Sequence, residues 1–239
     1  MDVQQGREVA VVAPWMAEFS IIIPVLNEAR IIEIFLKRLS PFREKCEIIV
    51  VDGGSQDRTA MLARPLCDQL ILSRPGRGLQ MNTGASYASG GYLLFLHGDT
   101  ILFQDCDSLL KEVRASDWGF APIILSGSDW RSRIISRFMV WRSTFTAVAT
   151  GDQMIFVKSS LFKTIGGFAN IPLMEDIEIS KRLRKVTSPK LLSRPVITSS
   201  RRWRENGYLE TVILMWWLRL AYFLGVSPET LARYYYGRK

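Results

Sequence analysis

Short apolar runs, each closing in a polar loop, constrain this chain more than any other feature. Phe19–Ile23, Cys46–Val51, Gln69–Leu72 and Tyr92–Leu96 read as strands of a sheet covered on both faces. Stretches with helical spacing lie between them. Ile31, Ile34, Phe35 and Leu39 form one apolar face, a second segment that Asp57 can cap runs through Met61 and Leu62 to about Cys67, and a third carries Met81, Ala85 and Ala88. Strands alternating with helices in this way predict an α/β fold with a mostly parallel central sheet and right-handed crossovers. In such a sheet the loops at the carboxyl ends of the strands converge on one crevice. Here those loops hold Asn27, Glu28, Asp52, Arg74, Arg77 and Asp99.

The glycines beside Asp52 do not spell GxGxxG, and GxxxxGK[ST] is absent, which disfavours a Rossmann dinucleotide site and a P-loop. A carboxylate such as Asp52 can accept hydrogen bonds from a base or ribose, and Arg74 and Arg77 can meet phosphate oxygens in fork geometry. The competing account makes Asp52 a turn cap and leaves the arginines to solvent. His97, the sole histidine, and Asp99 flank Gly98 where the fourth strand ends. They are either a metal-binding pair, or Asp99 is a turn or cap residue before a helix starting near Gln104.

Composition narrows the partners. Lys and Arg number 31 against 23 Asp and Glu, a net charge of +8 that favours a nucleic acid, an acidic lipid surface or a phosphorylated small molecule. The 239 residues are 48% hydrophobic, which excludes a disordered chain. Cys46, Cys67 and Cys106 make no CxxC pair, so neither a zinc site nor a disulfide framework is expected, and the chain reads as reduced and cytoplasmic. Residues 1–18 read as a tail without a signal peptide. No segment reaches the roughly 18 apolar residues of a membrane span, and the nearest, Leu209–Val226, is broken by Glu210 and Arg219.

The runs SIIIPVLNEARII, EIIVVDGGSQDRTA and RGLQMNTGASYASGGYLLFLHGDT, in that order, resemble the nucleotide-sugar-binding half of family 2 glycosyltransferases with the GT-A fold, in particular a small soluble subgroup with LHxDT at its metal motif. GDQMIFVKSSLFKTIGGF and PLMEDIEISKRLRK resemble the acceptor half. The resemblance implies one GT-A domain over residues 19–200, with the donor half at 19–100, the acceptor half at 101–200, and a helical extension from 201 to 239 packed on it. It implies that Pro24, Asn27 and Glu28 line the nucleotide end, that Asp52 bonds the base, and that Arg77 approaches the base and diphosphate. Asp99 would be the last acid of the metal motif and His97 stands where the family's first Asp would be. Mn²⁺ and Mg²⁺ both suit the oxygen ligand, and a nitrogen ligand tilts toward Mn²⁺.

In the acceptor half, Gly151–Val157 is expected to be a strand beside the donor sugar, with Asp152 and Gln153 meeting sugar hydroxyls or neighbouring backbone. Glu175 and Asp176 read locally as the acidic first turn of a helix. The resemblance makes Asp176 the base of an inverting transfer from a UDP-sugar or GDP-sugar to a hydroxyl acceptor of unknown identity, a lipid among the candidates. Of the QxxRW pattern found in processive synthases, Arg202 and Trp203 remain while Ser199 replaces Gln; Arg202, or else Arg201, is expected over the diphosphate, the competing account leaving either to solvent.

Two apolar stretches remain. Trp130–Phe145 carries Arg131, Arg133, Arg137 and Arg142 among its apolar residues and reads as a surface helix with its apolar face in the core, or as a membrane-facing or acceptor-gating helix. Glu210–Leu224 exceeds the need of one apolar face, so burial or a homodimer contact is expected ahead of peripheral contact with the inner face of a membrane. Two other readings compete with glycosyl transfer. A nucleotidyltransferase should place a glycine-rich basic loop after the first strand, where this chain has PVLNEAR; a basic nucleic-acid-binding protein should carry a cationic stripe instead of an acidic crevice, so no nucleic acid is expected.

Overall fold

The structure, a computed structural model, describes residues 17–102, 105–127, 129–200, 203–204 and 207–237. Strands β1 (Phe19–Val25), β2 (Cys46–Asp52), β3 (Gln69–Leu72) and β4 (Tyr92–Phe95) stand where the apolar runs predict them. Helices α1 (Ile32–Leu39), α2 (Thr59–Ala63) and α3 (Arg77–Tyr87) connect them, and all three strand pairs are parallel. The sheet continues through β8 (Ile155–Lys158), β6 (Trp118–Phe120) and β9 (Lys190–Leu191), in the order β3-β2-β1-β4-β8-β6-β9. β8 runs antiparallel to both its neighbours. A second sheet, β5-β10-β7, is made of β5 (Ile101–Leu102), β10 (Val196–Thr198) and β7 (Ile123–Leu125).

Several boundaries differ from expectation. β1 does not stop at Pro24. Ile22 gives its carbonyl to Leu96 on the β4 side and Val25 gives its own to Gly53 on the β2 side, so Pro24, of the same parity as Ile22, has its missing N–H past the last β1–β4 pair. No ladder bond is lost there. The buried face of α1 is Ile32, Phe35, Leu36 and Leu39, and Ile34 points outward. Gly151–Met154 is a turn before β8, and Leu191–Ile197 divides between β9 and β10 in separate sheets. Asp99 caps no helix: α4 (Cys106–Arg114) starts later, with Asp105 accepting from the Ser108 N–H, and Gln104 lies outside the described residues.

One face of the large sheet packs on α1, α2 and α4 through Phe35, Leu36, Ala63, Leu109 and Val113. The other packs on α3, α6 (Ser159–Thr164) and α7 (Glu175–Val186) through Met81, Phe162, Ile179 and Leu183. At Gly84 an added Cβ would lie 2.5 Å from Ile22 Cγ2, so α3 needs a glycine to lie this close to β1. A third cluster joins Leu173, Met174 and Ile177 to Leu218 and Ala221 of α8 (Tyr208–Phe223) and to Leu231, Ala232 and Tyr235 of α9 (Pro228–Tyr236).

Two helices overturn the expectation of burial. α5 (Trp130–Thr146) buries Ser132, Ser136 and Ser143 and turns Trp130, Ile134, Trp141 and Phe145 outward. Its small serines let it lie against β7, where Ser136 Oγ accepts from the Leu125 N–H at 2.9 Å. α8 buries Thr211, Leu218 and Ala221, and leaves Leu209, Ile213, Trp216, Trp217, Leu220 and Phe223 exposed.

Candidate active site

Loops following β1, β3, β4 and β10 enclose a crevice of about 500 Å³ with the help of the 151–154 turn and α9. It brings together Pro24, Glu28, Arg77, His97, Asp99 and Asp152, and Arg77 enters as the first residue of α3. Gln80, Tyr235 and Tyr236 also line it, and no local pattern announced the tyrosines. Gln80 carried one signal, a polar side chain on the inward face of α3. Its Nε2 donates to the carbonyls of Val25 at 2.9 Å and Val51 at 2.8 Å, holding together the ends of the two strands that open the crevice.

Three expected donor residues are placed elsewhere. Asn27 takes the left-handed backbone at φ 56° and is exposed; its Oδ1 accepts from the Gln56 N–H at 2.9 Å, and its own N–H donates to Ser55 Oγ at 2.8 Å. Asp52 is buried and accepts from the Ser55 N–H at 3.1 Å and from the Ser55 hydroxyl at 2.5 Å. Gln153 is fully buried in the protein interior, so the expected sugar contact gives way to internal bonds: its Oε1 accepts from Ser143 Oγ at 2.7 Å and Thr150 N at 3.1 Å, and its Nε2 donates to the Ala121 carbonyl. Arg74 is exposed and does not line the crevice, and Arg201 and Arg202 lie outside the described residues.

Asp176 faces a second cavity, of about 370 Å³, which shares Arg77, Asp152, Trp203 and Tyr235 with the first. Its Oδ2 accepts from the Gly151 N–H at 2.7 Å and its Oδ1 from the Ile177 N–H at 2.8 Å. Gly151 is the hinge between the two spaces. A Cβ there would lie 2.7 Å from His97 Nε2 and 3.6 Å from an Arg77 guanidinium nitrogen, so the missing side chain lets histidine, arginine and carboxylate meet around one backbone unit.

Glu175 is more than the helix-terminal charge its position suggested. It is buried, and its Oε1 stands 3.2 Å from Arg77 Nε. Burial pushes its carboxyl above the ordinary value, and Arg77 pulls against that shift. Desolvation disfavours the Arg77 charge in turn, but Glu175, Asp176, Tyr236 and Asp152 outweigh it and raise the guanidinium above its usual range. Met174, just before the pair, holds φ 72°, a left-handed conformation that costs a non-glycine residue roughly 1 kcal/mol or more. It turns the first helical residues of α7 into the site. Among the described residues no group of three or more His, Cys, Asp or Glu side chains is placed to hold a metal ion.

The mostly parallel seven-stranded sheet with its flanking helices is a GT-A fold. Residues 20–125 match Glycosyl transferase family 2, and the chain is a glycosyltransferase. It is similar to a PGL/p-HBAD biosynthesis glycosyltransferase of Mycobacterium bovis (strain BCG / Pasteur 1173P2), at 29% identity over 215 residues covering 82% of this chain and 80% of the relative. Among solved structures, a mannosyltransferase from Pyrobaculum calidifontis in complex with GDP-Man and Mn²⁺ superposes with a TM-score of 0.61 at 21% identity. That match covers 91% of this chain but 65% of the mannosyltransferase. Glucosyl-3-phosphoglycerate synthase from Mycobacterium tuberculosis, in complex with phosphoglyceric acid, gives a TM-score of 0.57 at 20% identity, covering 83% and 78% of the two chains.

Proposed function

We propose that the enzyme transfers a sugar from a UDP-sugar or GDP-sugar to a hydroxyl acceptor with inversion, that it depends on a divalent cation, and that Asp176 is the base. The observation that carries this reading is the junction at Gly151, which joins Asp176 by a 2.7 Å hydrogen bond on one side to His97 and Arg77 on the other. A donor diphosphate lying along Arg77 brings its anomeric carbon to that junction, with the acceptor arriving from the second cavity.

His97 and Asp99 both line the crevice and offer one nitrogen and one oxygen donor. A pair suits Mg²⁺ or Mn²⁺, which complete their coordination with substrate phosphates and water in place of a protein cage. When bound, the cation neutralises charge on the leaving diphosphate. The chain's own residues do the rest. Asp176 takes the proton of the acceptor hydroxyl as its oxygen forms the new bond at the anomeric carbon, while the bond to the diphosphate breaks and its electron pair leaves with the nucleotide. Arg77, oriented by Glu175, holds the phosphate oxygens as that charge develops. Pro24 and Glu28 border the nucleoside end.

Calorimetry with UDP, GDP and their sugar conjugates, with and without Mn²⁺, tests the donor reading. The expected result is binding that strengthens with the cation, with slow donor hydrolysis in the absence of acceptor. A folded protein that binds no nucleoside diphosphate under either condition overturns it.

A further inference from the structure

The second cavity is not built for a sugar. Where it faces Asp176 it is polar, but its walls are apolar and come mainly from α5 and α8: Ile135, Phe138 and Met139 on one side, Val212, Met215 and Trp216 on the other. Phe138 and Trp216 stack at 5.5 Å between ring centres, closing the two helices over the space. An apolar pocket of this size with few polar groups selects an apolar body with one oriented head.

The head has a partner waiting. Arg142 lines the cavity and donates to Ser143 Oγ at 2.8 Å, but its Nε is buried and finds no hydrogen-bond partner among the described residues. That atom is closed off from the cavity, but Arg142 as a whole lines it, so the guanidinium offers a charge-assisted donor to a ligand oxygen. Burial holds the Arg142 guanidinium below its ordinary range, and Asp176 and Asp152 offset this only in part, which ties it electrostatically to the transfer site.

The outer surfaces of the same two helices continue the apolar character into solvent. Trp141 is 62%, Phe145 80% and Phe223 76% exposed, and Trp141 and Phe145 stack at 5.8 Å. Around them α5 carries Arg131, Arg133 and Arg137 on its exposed side and no acid, while α8 exposes the single acid Glu210 and turns Arg219 to the cavity. Aromatic residues among arginines suit the boundary of an anionic bilayer. No helix among the described residues is long and apolar enough to cross one.

We propose that α5 and α8 rest on an anionic bilayer and that the cavity between them receives the apolar end of a lipid acceptor, with Arg142 holding an oxygen of its head group beside Asp176. This deepens the assignment of Asp176 as the base and rests on it for the direction in which the acceptor arrives. Continuity with the transfer site and the excess of arginine on the outer face of α5 favour this occupant over a second copy of the chain.

The test uses the full chain without any nucleotide sugar, so that its outcome is separate from that of donor binding. Cosedimentation with phosphatidylcholine vesicles containing phosphatidylglycerol should exceed that with phosphatidylcholine alone at least about tenfold, and Trp141→Glu with Phe223→Glu should abolish the difference while nucleoside diphosphate affinity stays unchanged. Tryptophan fluorescence should report monomeric decyl phosphate binding at least about tenfold tighter than ethyl phosphate, with the advantage in absolute affinity reduced by Arg142→Gln. Absence of vesicle binding by a folded protein overturns the proposal, as does equal affinity for the two phosphates. A dimer by light scattering that the same double substitution dissolves would also overturn it, because a second copy would then cover the face.

Discussion

The proposed donor crevice and the proposed acceptor cavity share Arg77, Asp152, Trp203 and Tyr235, yet they are built on opposite principles. On the donor side short loops are pinned by internal bonds: the Glu28 N–H donates to Thr59 Oγ1 at 2.7 Å, the Ala29 N–H to Asp57 Oδ2 at 3.1 Å, and Gln80 ties two strand ends. The acceptor side is enclosed by two helices that wall it with Ile135, Phe138, Met139, Val212, Met215 and Trp216. Fixed polar loops suit a ligand with a constant diphosphate. A largely apolar space with arginines at its edge suits an acceptor whose bulk matters more than its polar detail.

If the division of labour is right, the two acids must fail differently. Asp176→Asn keeps size and the acceptor for the Gly151 N–H but cannot take a proton, so transfer should fall by roughly two to four orders of magnitude while donor affinity persists. Paired calorimetry and rate measurement at one pH check this. Near-normal transfer would remove Asp176 from the mechanism. Asp99→Asn should instead weaken nucleoside diphosphate binding by about tenfold or more when Mn²⁺ is present and much less without it. Equal loss under both conditions would sink the metal role of Asp99.

The contrast between the two sides is also a contrast in legibility. β1 to β4 could be read because each is a contiguous apolar run whose burial is local information, and Glu28, Arg77, His97 and Asp99 followed from strand ends alone. The antiparallel β8 was not readable, since its direction depends on pairing with β4 and β6. α5 misled because apolar residues with helical spacing normally face inward, whereas here the helix approaches β7 on serines. Gln153 drew attention as a polar residue in an apolar passage, and its partners proved to be Ser143, Thr150 and Ala121, all internal. Glu175 looked like a charge complementing its own helix. Its partner, Arg77, comes from a distant helix that only the fold brings near.

That ion pair sharpens the comparison, because it crosses from one side to the other. Glu175→Gln leaves Arg77 without its nearest carboxylate and should lower transfer by about tenfold, mainly through weaker donor binding, with a stability cost of roughly 1–2 kcal/mol after allowance for the partial exposure of Arg77. The pH dependence carries its own sign. Since the folded carboxyl is held above its ordinary value, the folded state binds that proton more tightly, and the associated stability is complete below the ordinary value and lost as pH rises through the folded one. Denaturant titrations across this range should show that slope in the parent and not in Glu175→Gln. A slope unchanged by the substitution would mean that another group carries it.

The smallest expected effect tests the junction itself. His97→Asp replaces the ring with a second carboxylate and should retain transfer to within about tenfold, because a carboxylate oxygen is a good ligand for both Mg²⁺ and Mn²⁺. Gly151→Ala should cost more on its own, since its Cβ would lie 2.7 Å from His97 Nε2 and one of the two must shift. In the His97→Asp background that clash is gone, and the nearest remaining neighbour of those around the added Cβ is an Arg77 nitrogen at an ordinary 3.6 Å. The double variant should therefore be more active than Gly151→Ala alone, a reversal that independent sites would not produce. Rates for the four proteins of this cycle, with circular dichroism to establish folding, decide the matter. Additive losses would show that His97 and Gly151 do not meet, and the acceptor carboxylate would lose its link to the donor crevice.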